Sequence, residues 1–270
     1  MTSDTSPHTI EAGAFNVGYI DEGSGEPLIL VHGGESNRTQ FTALRPHLGD
    51  QLRVISYDQR DSGVTTGPKD PYDVATLADD LSELVEALGL HQVHILGTSF
   101  GGAVAQQFAL RHPEKLRSLI LVCTTPSINL PSPALERILN MGPDERREAA
   151  VDFLFSVEGR KKDPELVSRN WTSLVSRPKD ADARRHAAAV SHDVLDQLDA
   201  IQAPTLVIHG DEDQMATVDG AQILAQRIPG ARLELIEGAR HGIATEFADV
   251  VAGLSREFIA EHSIDAAVRG

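Results

Sequence analysis

The chain has a single cysteine, Cys123, in 270 residues, so no disulfide closes within it. That suits a reducing compartment. Aromatic side chains are equally sparse: eight Phe, three Tyr and one Trp make 4% of the chain, too few for a stacking platform for single-stranded nucleic acid. Positive charge is in short supply, with 24 Lys and Arg against 40 Asp and Glu, a net of −16 and a pI near 5.0. An excess this acidic works against binding a phosphate backbone or an anionic membrane surface. Long hydrophobic runs are missing too: stretches such as Leu119 to Cys123 fall far below the roughly 20 residues of a membrane span. The first eight residues hold neither a basic nor an apolar region, which predicts no secretory leader. These shortages lead to the expectation of a cytoplasmic protein, monomer or homodimer, whose partner is a small molecule and neither nucleic acid nor membrane.

What is present is alternation. Residues 8–21 read as two short strands of a hairpin. The apolar runs Leu28–Val31, Arg53–Tyr57, Val93–Leu96, Leu119–Cys123, Thr205–Ile208 and Arg232–Ile236 read as strands, most of them continuous enough to be buried on both faces. Helical periodicity fills the gaps. Leu77, Leu81, Leu84, Val85 and Leu88 recur on one face and stop at Gly89, and further helices are expected at 103–110, 220–228 and 249–259. The class is therefore α/β, a mostly parallel sheet with helices on both faces. One stretch departs from this rhythm: residues 127–198 hold helical patterns around 134–141, 143–157, 164–175 and 180–198 and no strand-like run. A helical cap inserted between two strands is the natural reading, placed over the carboxyl ends of the strands, where open α/β sheets build their sites. A peripheral elaboration remote from any ligand is the alternative.

Gly97-Thr98-Ser99-Phe100-Gly101 fits G-x-S-x-G between a buried strand and a helix, the context that makes the pattern a nucleophile elbow. A serine hydroxyl needs a base, and the base needs an orienting acid. His241 follows the last strand and Asp213 the one before it, giving the order Ser99, Asp213, His241. Asp211 is the rival acid and Glu212 a weaker one. No His or Cys spacing supports a metal, and the chemistry calls for no cofactor. His32-Gly33-Gly34 ends the first buried strand; the N–H of Gly34 and that of Phe100 are the expected oxyanion-hole donors, with Gly33 serving close backbone packing. Cys123 reads as packing.

Together these residues resemble the α/β-hydrolase superfamily of serine esterases, lactonases and peptidases, over a length running from Leu28 to the last helix. The resemblance implies an eight-stranded sheet, with residues 1–126 and 199–270 as the hydrolase core and 127–198 as a cap inserted after the sixth strand. Ser99, where dehalogenases and epoxide hydrolases of the superfamily have an aspartate, implies acyl transfer: a carboxylic ester or lactone cleaved through an acyl-enzyme. Asp58-Gln59-Arg60 with His32-Gly33-Gly34 is similar to proline iminopeptidases, which the elbow Thr98-Ser99-Phe100 and the residues Glu35-Ser36 depart from; an aminopeptidase is thus the second reading. A ligand receptor without catalysis on the same fold is the third.

Three expectations concern the surroundings of the site. Arg60 is expected to pair with Asp61. Glu35, beside the oxyanion loop, is expected to pair with Arg38 or Arg60, and otherwise to meet a cation on the substrate, such as the amine of an aminosugar macrolide lactone. Trp171 reads as cap core, with a wall of the substrate pocket as its other role.

Overall fold

A computed structural model describes residues 8–263 apart from 133, 135, 138–140, 142 and 172–176; the side chains of 143, 144, 146–148 and 169–171 also lie outside the described part. Eight strands form one sheet: β1 (His8–Ala12), β2 (Phe15–Glu22), β3 (Glu26–Val31), β4 (Leu52–Tyr57), β5 (Val93–Thr98), β6 (Leu116–Val122), β7 (Thr205–Gly210) and β8 (Arg232–Ile236). Their order is β1-β2-β4-β3-β5-β6-β7-β8. The β1–β2 and β2–β4 pairs are antiparallel, and every other pair is parallel.

The continuous apolar runs give strands buried on both faces, with alternate residues entering different cores. Ile29, Val31, Leu119 and Leu121 pack with Leu77, Leu81 and Leu84 of helix α1 (Val74–Ala87) and with Val104 and Phe108 of helix α2 (Phe100–Arg111). Leu28, Leu30, Ile120 and Val122 face the opposite core, with Val251 and Phe258 of the last helix, Ala248–Glu261. Each fully buried Leu or Ile stabilises the fold by about 1.5–3 kcal/mol of transfer free energy. The two cores hold the sheet rigid, so the loops at its ends start from fixed points.

Between β6 and β7 the described residues form helices Pro143–Leu154, Val157–Lys162, Leu166–Trp171 and Lys179–Val190 and no strand of the sheet. The pattern expected over 143–157 is interrupted, because Ser156 caps a new helix with its hydroxyl accepting from Gly159 N–H at 2.8 Å. The pattern expected over 180–198 stops at Val190, and Leu195–Ala200 follows as a 3-10 turn. The helix expected over 134–141 lies partly outside the described residues. At the neck of this insertion Val194 N–H donates to Pro126 O at 2.9 Å and Ile128 N–H to His192 O at 3.0 Å. Among the described residues no helix is long and apolar enough to cross a membrane.

Candidate active site

Parallel strands deliver four loops to one edge of the sheet. Val31 ends β3 just before Gly33-Gly34, Thr98 ends β5 just before Ser99, Gly210 ends β7 three residues before Asp213, and Ile236 ends β8 five before His241. The turn at Ser99 is sharp, with φ +52° and ψ −121°, a conformation costing a non-glycine residue about 1–3 kcal/mol. Hydrogen bonds hold it there: Ser99 N–H to Val122 O at 3.0 Å, Gly102 N–H and the Thr124 hydroxyl to Ser99 O, both at 2.8 Å, and Ala103 N–H to Ser99 O at 3.3 Å. The flanking glycines allow the close approach. A methyl group on Gly97 would stand 2.4 Å from Gly101 O, and one on Gly101 would stand 2.0 Å from Val31 O.

Ser99 Oγ lies 2.9 Å from His241 Nε2, and His241 Nδ1 lies 2.7 Å from Asp213 Oδ2. A carboxylate only accepts, so Nδ1 carries the proton and Nε2 presents a lone pair to the serine hydroxyl. Asp213 is fixed by two backbone donors, Met215 N–H at 2.8 Å and Ala216 N–H at 3.0 Å, both to Oδ1. Asp213 and His241 are buried, while Ser99 is half-buried. The two rival acids point elsewhere: Asp211 accepts from Gly238 N–H at 2.7 Å, and Glu212 pairs with Arg240 at 3.3 Å. Arg240 is thus directed to Glu212 and to the carbonyl of Asp152, at 2.6 Å.

The oxyanion loop passes the elbow closely: a methyl on Gly33 would stand 3.6 Å from Ser99 Cβ, and one on Gly34 3.8 Å from Phe100 Cβ. Gly33 N–H is already committed to Gln40 Oε1 at 2.7 Å, and Gln40 Nε2 donates to Thr98 Oγ1 at 2.9 Å. Neither Gly34 N–H nor Phe100 N–H has an acceptor among the described residues, and the latter opens helix α2, where the dipole favours negative charge. His32 lies fully buried under the loop. Gln59 N–H donates to its Nε2 at 3.2 Å, so the proton sits on Nδ1 and is donated to Gly33 O at 2.8 Å. Burial, with Arg185 and Arg177 nearby, holds the His32 pKa well below the ordinary value, which keeps the ring neutral.

The surroundings differ from two expectations. Arg60 does not pair with Asp61: it turns to Asp80 of helix α1 and lies over the Phe15 ring at 4.2 Å, while Asp61 pairs with Arg184 at 2.7 Å. Glu35 pairs neither with Arg38 nor with Arg60. Arg38 is engaged with buried Asp58, and Glu35, largely exposed, stands 3.3 Å from Arg177. Trp171 ends the helix Leu166–Trp171, and the expectation for its side chain lies outside the described residues. Cys123 is buried just past β6, where burial and Asp213 push its thiol pKa well up. Sequence reading missed Gln40, Arg177 and Arg185. Arg177 and Arg185 bond to backbone carbonyls of remote loops, and carbonyls leave no trace in a sequence.

The family described as alpha/beta hydrolase fold matches residues 26–247. A poly(3-hydroxyalkanoate) depolymerase of Ectopseudomonas oleovorans is 29% identical, over 86% of this chain and 84% of its own. A proline iminopeptidase of Pestalotiopsis fici is 31% identical, over 83% of this chain and 89% of its own. Among solved structures, a thermophilic esterase from Thermogutta terrifontis is 28% identical with a TM-score of 0.84, covering 96% of this chain and 100% of that one.

Proposed function

The chain belongs to the α/β-hydrolase family, and from that premise we propose that it is a serine hydrolase that cleaves a carboxylic ester or lactone through an acyl-enzyme on Ser99. The observation that carries this reading is the unbroken hydrogen-bond chain from Ser99 Oγ through His241 to Asp213. Ser99 attacks the substrate carbonyl while His241 Nε2 takes its proton. The carbonyl oxygen becomes an anion between the N–H groups of Gly34 and Phe100. Collapse expels the alkoxide, which takes the proton from His241, and water repeats the sequence to release the acid. Asp213 holds the imidazole in the required tautomer and stabilises its charged form. Residues 127–198 act as a cap over the pocket and shape its choice of acyl group. The depolymerase and esterase names among the relatives agree with ester chemistry.

Uncharged substrates fit the reading better than amine-bearing lactones of the macrolide type. Glu35, the carboxylate nearest the oxyanion loop that would meet a substrate cation, stands beside Arg177.

A fluorophosphonate probe tests the proposal, alongside a screen of p-nitrophenyl esters, lactones and proline arylamides. Labelling at Ser99 and turnover of at least one ester or lactone are expected, with kcat falling about 10⁴- to 10⁶-fold in Ser99→Ala. An unlabelled Ser99 together with no acyl turnover would overturn the reading. Turnover confined to proline arylamides would replace it with an aminopeptidase.

A further inference from the structure

Arg185 is a buried cation without a carboxylate partner in hydrogen-bond reach among the described residues. It is 3% exposed and lies on the helix Lys179–Val190, in the segment between β6 and β7. Its Nε donates to Gly34 O at 2.8 Å, and its Nη2 to Gly33 O at 3.2 Å and to Gln59 Oε1 at 3.1 Å. The guanidinium also lies over the Phe100 ring at 4.5 Å. Arg177 reaches the same loop from the same segment: its Nη2 donates to Gly34 O at 2.8 Å and its Nε to Asp61 O at 2.7 Å. Two guanidinium groups therefore converge on one carbonyl.

This arrangement is costly. Burial and the neighbouring Arg177 push the Arg185 pKa down to about 10. A packed apolar side chain would hold a helix against a loop without that desolvation penalty. What an apolar residue cannot do is fix and polarise a peptide group. In a trans peptide the carbonyl and the following N–H point in opposite directions, and the chain has no cis bond among the described residues. Gly33 O accepts from His32 Nδ1–H at 2.8 Å, within the loop, and from Arg185 Nη2 at 3.2 Å, from the insertion, and the two donors together aim Gly34 N–H the other way, toward the elbow. The Gly33–Gly34 pair has no side chain to resist a peptide flip, and a flip would put an acceptor where the oxyanion forms.

We propose that Arg185 is a positioning residue of the oxyanion hole: beside His32 it holds the Gly33 carbonyl, so aiming and polarising the Gly34 N–H of the same peptide, while its bond and that of Arg177 to Gly34 O tie the loop to the segment between β6 and β7. The inference rests on the reading of Ser99 as nucleophile with Gly34 as donor. Hydrogen bonds in series strengthen one another in a low-dielectric site, which is how a guanidinium acts on an oxyanion that it does not touch.

The test compares wild type, Arg185→Met and Arg185→Lys on one p-nitrophenyl ester. Two ligands are used beside it: a trifluoromethyl ketone and a carbonyl-free alcohol of matching shape. With the ketone, Ser99 Oγ bonds to the carbonyl carbon, the hydroxyl proton passes to His241 and the ketone oxygen becomes the anion. In Arg185→Met, kcat is expected to fall about 10- to 100-fold, less than outright loss of a donor. KM should move less than about twofold, ketone affinity should fall in parallel with kcat/KM, and alcohol affinity should hold. Arg185→Lys, which keeps the charge without the planar fork, should fall between. Wild-type kcat and ketone affinity in Arg185→Met overturn the inference, as does an equal loss for both ligands, the mark of a merely structural role. If Arg185→Met does not fold, Arg185→Lys decides: wild-type kcat and ketone affinity there overturn it. Failure of wild type to label with fluorophosphonate would remove the underlying reading and this inference with it. Normal labelling with an unaffected variant would remove only this inference.

Discussion

At the oxyanion loop the segment between β6 and β7 offers the core its charged side chains, whereas at the His241 loop it offers mainly its backbone, met there by backbone and by Arg240 and Glu246 of the core. Arg177, Arg184 and Arg185 reach down to Gly33, Gly34 and Asp61. At the other loop His241 N–H donates to Phe153 O at 3.2 Å and Gly242 N–H to Leu154 O at 2.7 Å, while Glu246 accepts from Ser156 N–H at 2.9 Å. The difference follows from what each loop has to hold. His241 carries a side chain already oriented by Asp213, so its loop needs only to be placed, and bonds to the backbone of the insertion suffice. Gly33-Gly34 offers the chemistry nothing but a peptide group, whose direction is held by neighbouring side chains, His32 within the loop and Arg185 from the insertion. Residues 127–198 hold 11 basic and 12 acidic side chains in a chain of net −16, so the insertion is nearly balanced and the acidity belongs to the rest of the chain.

The largest effect is expected on the His241 side, at the acid. Asp213→Asn would present an amide to Nδ1 and favour the wrong tautomer, lowering kcat about 10⁴-fold. Asp211→Asn, whose side chain caps Gly238 N–H, should change kcat by less than about threefold, because its loss is one exposed hydrogen bond. Steady-state kinetics on the two variants check the assignment. The reverse ranking would give the acid's role to Asp211 and detach Asp213 from the chemistry.

Much of this was legible in the sequence, for identifiable reasons. Buried parallel strands are written as unbroken apolar runs, as in Thr205–Ile208, which lies wholly buried within the strand Thr205–Gly210. Thr98-Ser99-Phe100 is legible because its flanking glycines are steric necessities. The pairings around the site were not. Arg60 had a carboxylate beside it at Asp61, yet the positive φ of Asp61, +55°, belongs to a turn in which Arg60 takes Asp80 and Asp61 takes Arg184. Adjacent residues seldom face one another, so proximity along the chain was a poor guide to ion pairs. The grip of Arg185 was harder still to read: its partners are carbonyls of glycines 151 and 152 positions away.

A smaller effect sharpens the same contrast from the backbone side. Gly242 packs under the insertion so closely that a methyl group there would stand 2.6 Å from Leu154 O and 2.7 Å from the Phe155 ring. Gly242→Ala keeps φ at an ordinary −80°, so its effect is steric alone. Pushing 153–155 off the loop should cost about 1–3 kcal/mol of stability, with kcat lowered only several-fold, since His241 keeps Asp213. Chemical denaturation and steady-state rates read the two quantities separately. Rates that collapse while stability is unchanged would mean that the backbone contact, like the arginine contact, sets the geometry of the reacting groups.

The smallest effect expected lies at the neck of the insertion, away from both loops. His192 is buried there, its Nε2–H donating to Thr125 O at 3.2 Å and its Nδ1 unpartnered among the described residues. Burial, outweighing the pull of Thr125 and Asp193, lowers its pKa to about 4. An unfolded histidine titrates near 6.5, so between about pH 6.5 and 4 the unfolded chain binds a proton that the folded chain refuses. Stability from this group is therefore full above pH 6.5 and is lost as the pH falls toward 4, where the proton would go to the unpartnered Nδ1. Replacing the ring by glutamine keeps a donor for Thr125 O and removes the titration. Tm of His192→Gln should match wild type above pH 7 and fall less steeply below it. His32, His94 and His209, also held low by burial, contribute equally to both proteins and leave the difference intact. Identical Tm profiles from pH 8 to pH 4 would show that the neck takes up the proton without strain, making it a junction that, unlike the two loop contacts, does not depend on fixed polar geometry.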